Sequence, residues 1–346
     1  MVTLEKPRVS SYLIGLAVLT VAASLGILSG PADIDRTSVF LELLDRLPVV
    51  SADSGLSSIQ KNIIWEVRLP RVLLGALVGM TLAISGASYQ AVFRNPLADP
   101  YLLGAAAGAG LGATVGIITG SGDGVGTFDL VPILGFLGAL LAVGATYLLG
   151  YSSSARRSPA ALLLAGVAVA SFLTAIQIFI QQQNVETIRQ VYGWILGRLN
   201  TASWDEVAML APYALAASFV ILLCRRLLDV MRLGDAEASS LGIGPQRVRL
   251  VVICAASLGT AAAVAVSGLI AFVGIIVPHT VRLIAGASNR VVLPLSLLYG
   301  AAFLVAVDLL GRTLASPAEI PIGVITAFCG APFFVVVLRT SKRSLS

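Results

Sequence analysis

Asp308 and Arg312 stand four residues apart in a stretch otherwise free of charge from 291 onward. An acid inside a long apolar run is a candidate carrier of protons or ions. Helical spacing i, i+4 puts the arginine on the same face, so a local ion pair near one end of the run is the simpler chemistry. His279, the single histidine, follows Pro278. One imidazole cannot strip a metal from a tight chelator, so a structural hydrogen bond beside the proline-freed backbone is expected of it. Cys224, Cys254 and Cys329 have no ligand spacing, and neither a metal centre nor a disulfide framework is expected. Gln177 and Gln181 lie one helical turn apart, with Gln182 and Gln183 after them. Such a row suits either hydrogen bonding between helices or a polar, uncharged path. The only lysines are Lys6, Lys61 and Lys342, and none follows a glycine. The phosphate-holding loop G-x-x-x-x-G-K-[ST] is therefore missing, and no cofactor is expected in this chain.

The elements that must position these groups are set by composition. Of 346 residues, 57% are hydrophobic and 12% charged, against about a quarter charged in soluble domains. Mean hydropathy is +0.92. A chain this apolar needs lipid as its solvent. Runs without Asp, Glu, Lys or Arg cover 9–32, 72–93, 101–122, 130–155, 158–185, 207–224, 250–281, 291–307 and 320–338. A span needs about 20 residues. The run 250–281 is too long for one and divides near Ser267-Gly268 into 250–268 and 270–286, giving ten spans. The runs are continuous rather than alternating, which excludes barrel strands. No small-residue cleavage site follows 9–32, so it is read as a retained helix. The expectation is an all-α polytopic membrane protein, one transmembrane domain over 1–346.

Orientation follows from the cations. With ten spans, 15 of the 23 Lys and Arg fall on the side that holds both termini, which makes that side cytoplasmic. The pI of 9.3 thus reports topology and does not suggest nucleic acid. Gly104, Gly108, Gly112 and Gly116, and likewise Gly75 and Gly79, recur every four residues and should let neighbouring helices approach closely. Between spans, 39–47 and 188–199 have short amphipathic patterns. Arg94, Asn95, Pro96, Asp99 and Pro100 should form a polar cytoplasmic turn, since each proline stops a helix.

The cytoplasmic loop at about 230–248 carries the most local information. Asp235 reads as an N-cap, Gly242 as a stop and Pro245 as the first residue of another helix. Two short helices joined by a glycine turn would lie across the cytoplasmic face, a compact surface that a partner could grip.

Five stretches carry a resemblance: RLPR at 68–71, SGASYQAVFRNPLADPYLLG at 85–104, LGDAEASSLGIG at 233–244, GLIAFVGIIVPHTVRLIAG at 268–286 and IPIGVITAFCGAPFF at 320–334. In order and spacing they resemble the FecCD-type permeases, membrane subunits of ATP-binding cassette importers for vitamin B12, ferric siderophores and haem. Tyr89 and Ala271 depart from the pattern. The resemblance implies a type II importer architecture: a second copy of the chain, two cytoplasmic ATPase subunits that carry ATP and Mg, and an extracytoplasmic binding protein, in the inner membrane of a bacterium. It implies that Gly234, Asp235, Ala238, Leu241, Gly242, Ile243 and Gly244 contact the ATPase. It implies that Arg68, Arg71 and Arg312 stand on the outer surface and meet glutamates of the binding protein. It also implies that Gln177 and Gln181 line the path and that Ser158, Pro159 and Ala160 form its inner gate, although Pro159 stands where a small hydroxyl residue is expected. A metal chelate is the implied cargo, a ferric siderophore before cobalamin or haem. An ion-coupled secondary transporter is the competing class. It would need buried acids free to bind the coupling ion.

Overall fold

A computed structural model describes residues 9–32, 34–46, 53–120, 130–152 and 159–343. Among the described residues fifteen α-helices run in chain order: α1 Val9–Leu28, α2 Arg36–Asp45, α3 Ser58–Asn62, α4 Leu69–Phe93, α5 Ala105–Ile118, α6 Leu130–Ser152, α7 Pro159–Gln183, α8 Ile188–Ile195, α9 Trp204–Leu223, α10 Arg225–Met231, α11 Asp235–Ser240, α12 Pro245–Ser267, α13 Val273–Ala285, α14 Asn289–Thr313 and α15 Ile322–Arg343. Among the described residues there is no β-strand. Seven helical stretches are long and apolar enough to cross a membrane, and α5, α13 and α15 supply three shorter apolar segments. Together they occupy the ten expected positions, with the break in 250–286 at Gly268–Phe272. We call inner the end of the bundle that carries α11, following the Lys and Arg asymmetry, and outer the opposite end.

α4 is the axis. A single turn of π-helix, Ile63–Arg68, feeds into it, and nearly all its residues are buried against α9, α12, α13 and α14. Lipid offers no hydrophobic drive for helices to associate, so contact depends on how closely backbones can come. The glycines provide that closeness. A Cβ on Gly79 would collide with the Gly300 carbonyl, and one on Gly108 with the Gly138 carbonyl. The expected ridge on α5 is therefore the seam with α6.

α5 and α13 have 14 and 13 residues, about 20 Å of helix each, short of the roughly 30 Å hydrocarbon core. Chain outside the α-helices at 94–104, which includes a 3-10 turn at Pro100–Leu103, and at 268–272 makes up the difference and must be satisfied from within the protein. The Tyr101 hydroxyl donates to Ile270 O at 3.0 Å and accepts from Ile270 N at 3.2 Å. Thr146 Oγ1 donates to Leu103 O at 2.9 Å. Arg198 N donates to Ser267 O at 2.8 Å, beside the break. Gln90 Nε2 donates to Gly274 O at 2.9 Å and to Ala98 O at 3.3 Å.

Candidate functional site

At the inner end, α10, α11 and the start of α12 form one compact element. Gly234 is the N-cap of α11, and Asp235 is its first helical residue, not the cap expected from sequence. Its carboxylate is engaged elsewhere. Arg94 Nη2 donates to Oδ1, and Arg249 Nη2 donates to Oδ2 at 3.1 Å. Burial alone would push the Asp235 carboxyl up, but the Arg249 hydrogen bond and the charges of Arg249 and Arg94 hold it below the usual value. α11 stops as the sequence indicates. Gly242, at φ +79°, donates to Ser239 O at 3.0 Å, and Ile243 N donates to Ala238 O at 3.0 Å, the two bonds of a Schellman end. Pro245 opens α12. The second helix is thus not a separate surface helix but the root of a 23-residue span. Leu241 is 63% exposed. Ala238 is buried and Ile243 packs inward against the core, while Leu241 projects, as does Leu233 at 52% exposed just before α11.

Further ties hold this element down. Arg94 Nε donates to Met231 O at 2.9 Å. Asp229 accepts from Ser288 Oγ at 2.7 Å and from Asn289 N at 2.6 Å. Arg232 Nη1 donates to Ala287 O at 2.8 Å. The expected turn before α5 is present. Asn95 Oδ1 accepts from Leu97 N at 3.0 Å, Asp99 Oδ1 accepts from Tyr101 N at 2.8 Å, and Pro100 is buried against Gly274, while Pro96 is exposed.

At the outer end the structure corrects an expectation. Arg68, Arg71 and Arg312 do not stand on the surface; all three are buried. Arg71 Nη2 donates to Asp308 Oδ1 at 2.8 Å and Arg71 Nη1 to Glu319 Oε1 at 2.9 Å. Arg312 Nε lies 3.3 Å from Asp308 Oδ2, the expected i, i+4 pair. Its Nη2 turns inward to Gly26 O at 2.7 Å. Arg68 donates to Ile27 O at 3.0 Å and Ala32 O at 2.6 Å. The physical reason is the end of α1. Its last-turn carbonyls have no helical partner, and cations are favoured at a helix C-terminus. Arg68 and Arg312 serve that need, while Arg71 completes the pairing of Asp308.

Gln177 is also corrected. It is 7% exposed and donates through Nε2 to Thr114 Oγ1 of α5 at 3.1 Å, joining helices instead of facing a path. Gln181 is half-buried on α7, and Gln182 and Gln183 are exposed. Pro159 opens α7 and Ala160 is exposed; Ser158 lies outside the described residues. His279 packs edge-to-face on Phe333, ring centroids 5.5 Å apart, in place of the expected hydrogen bond. Among the described residues, no group of three or more His, Cys, Asp or Glu could hold a metal ion.

Glu319, Asp229, Gln90, Arg249 and Arg282 belong to these networks and were not singled out from sequence. Asp229, among Arg225, Arg226 and Arg232, and Glu319, seven residues after Arg312, had the only available signal: acids close in sequence to arginines at helix ends.

The sequence profile of the FecCD transport family matches residues 16–340. The chain is 41% identical over 290 residues to the cobalamin import system permease protein BtuC of Halobacterium salinarum, covering 82% of this chain and 75% of that protein. It is 36% identical over 326 residues to the hemin transport system permease protein HmuU of Yersinia pestis, covering 88% and 95%. A solved structure described as an inward-facing, metal-chelate type ABC transporter superposes with a TM-score of 0.81 at 28% identity, covering 96% of this chain and 99% of that one. The ten apolar segments, the compact inner element and these matches agree: the chain belongs to the FecCD transport family.

Proposed function

We propose that this chain is the permease subunit of an ATP-driven importer for a metal chelate, acting as a homodimer with two ATPase subunits and an extracytoplasmic binding protein. It would sit in a bacterial inner membrane with both termini cytoplasmic. The observation that carries the reading is the inner element: α11, closed by a Schellman turn, presents Leu241 to solvent while ion pairs fix its base to α4 and α12. A rigid knob on a membrane face suits a partner that delivers force. The competing proton relay loses its candidate, because Asp308 is already held by Arg71 and Arg312. Docking of the binding protein rests on the resemblance alone, since Arg68, Arg71 and Arg312 are engaged in contacts within the fold. For cargo, a ferric siderophore is our first choice, with cobalamin and haem next.

The test is uptake into proteoliposomes that hold the chain with its cognate ATPase, with the binding protein outside. ATP-dependent accumulation of one of the three chelates is expected. Accumulation driven by a proton gradient without ATP overturns the reading. Absorbance and mass spectrometry of the co-purified binding protein then identify the cargo.

A further inference from the structure

Gln90 is buried near the inner end of α4. Its amide nitrogen donates to Gly274 O, at the start of α13, and to Ala98 O in the chain before α5. Its amide oxygen accepts from Arg282 Nη1, in the last turn of α13. Four residues on, Arg94 ends α4 in the left-handed conformation, at φ +49°, with its own N–H bonded to Gln90 O. Its side chain reaches out of the bundle to Met231 O and Asp235. A string of hydrogen bonds thus runs from the base of α11, through the C-cap of α4, to both ends of α13. α13 begins where the membrane-depth chain breaks, at 268–272.

Apolar packing would hold these helices together at less expense, since a buried amide and a guanidinium must be satisfied on every side. A left-handed arginine adds backbone strain. What a polar string offers is discrete partners: when one end moves, the other must follow or a bond must break.

We infer that Asp235, Arg94 and Gln90 are positioning residues that carry displacement of the inner element to α13 and the adjoining break. The inference rests on the importer reading proposed above. α11 presents Leu241 to solvent at its C-terminal end, and the string leaves from Asp235, its first residue. Recruitment of the ATPase and passage of its motion are therefore separable.

The experiment uses the full permease–ATPase complex in proteoliposomes, with Asp235→Asn, Gln90→Leu and the double variant. Gln90→Leu should retain the ATPase at parental stoichiometry and hydrolyse ATP within about twofold of the parent, and each single variant should move about tenfold less cargo per ATP, in the range of ordinary coupling energies. Because both residues act in one string, the double variant should also lose about tenfold, whereas independent defects would multiply to about a hundredfold. Gln90→Glu keeps the acceptor for Arg282 without the amide donor and should fall between parent and Gln90→Leu. A multiplicative double variant overturns the string, as do losses that only follow lowered thermal stability. Asp235 is half-exposed, so Asp235→Asn should fold even if Gln90→Leu does not, and a parental transport-to-ATP ratio in Asp235→Asn also overturns it. A parent chain that recruits no ATPase overturns the importer reading itself; a parent that transports while its variants stay coupled overturns the string alone.

Discussion

Both ends of the bundle set one carboxylate between two arginines, yet the two arrangements differ in kind. At the outer end, Asp308 is 4% exposed and sits between Arg71 and Arg312, which are 10% and 2% exposed. At the inner end, Asp235 is 48% exposed and sits between Arg94 and Arg249, 40% and 8% exposed. Charges removed from water depend on one another, because none can return to solvent if its partner is lost. Charges that keep contact with water can part and re-form at small cost. The outer network is thus a lock joining α1, α4, α14 and the chain before α15. The inner one is a joint that a partner can shift.

The largest expected effect is at the lock. Arg71→Glu would place a third carboxylate against Asp308 and Glu319, with Arg312 the one remaining described partner of Asp308. Little folded protein is expected in size-exclusion profiles. Asp308→Ala leaves Arg312 with only the Gly26 carbonyl, and Arg71 with only Glu319. Breaking a buried pair from one side costs about 3–5 kcal/mol, to be read as lowered thermal unfolding in nanodiscs. Asp308→Ala combined with Arg312→Leu should recover part of that loss. If either single variant is as stable as the parent and alters only the association rate of the binding protein, the outer arginines are surface groups after all and the contrast between the two ends fails.

A smaller effect belongs to Arg68, which among the described residues pairs with no carboxylate and holds Ile27 O and Ala32 O. Arg68→Ala should cost about 1–3 kcal/mol, the penalty for unsatisfied buried groups, and should loosen the outer end of α1 before the rest. Faster hydrogen exchange confined to residues near 24–32 would show it. Uniform exchange across the bundle would mean that Arg68 supports the whole lock.

How much of this could be read from sequence depends on the range of the interaction. The ten apolar segments were legible, because lipid imposes length and polarity on each segment separately. So were the Gly242 stop, the Pro245 start, the glycine seam of α5 and the Asp308–Arg312 pair, all local in sequence. The partners of Arg71 were not, since Asp308 is 237 residues away and Glu319 is 248. An arginine at a span end looks the same whether it reaches for headgroups or for the last carbonyls of another helix. Gln177 illustrates the same limit. Its row of glutamines allowed both readings, and only the position of Thr114 on α5 decides between them. Asp235 was misplaced by one residue as a cap because sequence alone could not show two arginines competing for its carboxylate.

At the joint, Leu241→Asp tests the exposed side of α11. The isolated permease should keep its stability, because Leu241 has no buried contact to lose. Assembly with the ATPase should suffer, since a charge buried at that contact without a partner costs several kcal/mol, about 3–5. Loss of co-purifying ATPase with unchanged unfolding of the permease is expected. Unchanged assembly and transport would move the docking surface away from α11.

The smallest effect is also the most specific to the joint, and it is a pH dependence. Arg249 and Arg94 hold the Asp235 carboxyl below its ordinary value, against the upward push of burial. A carboxylate lowered in the folded state contributes stability above its unfolded pKa and loses that contribution as pH falls through the folded one. The ordinary value is about 3.9, so the ties of α11 should be intact from neutral pH to about 4 and weaken below it. Their worth is small, because Asp235 is half in water and exposed pairs contribute at most about 1 kcal/mol. Global unfolding would hide it, so the measurement must be local. Hydrogen exchange of residues 236–243 should be faster in Asp235→Asn than in the parent at pH 7, and the difference should close below the carboxylate range, where the parent is protonated as well. A difference that persists once the parent carboxyl is protonated would show that the side chain acts by shape and not by charge. No difference at pH 7 would show that Arg94 and Arg249 do not hold α11 in place, and the inner end would then be a loose loop and not a joint.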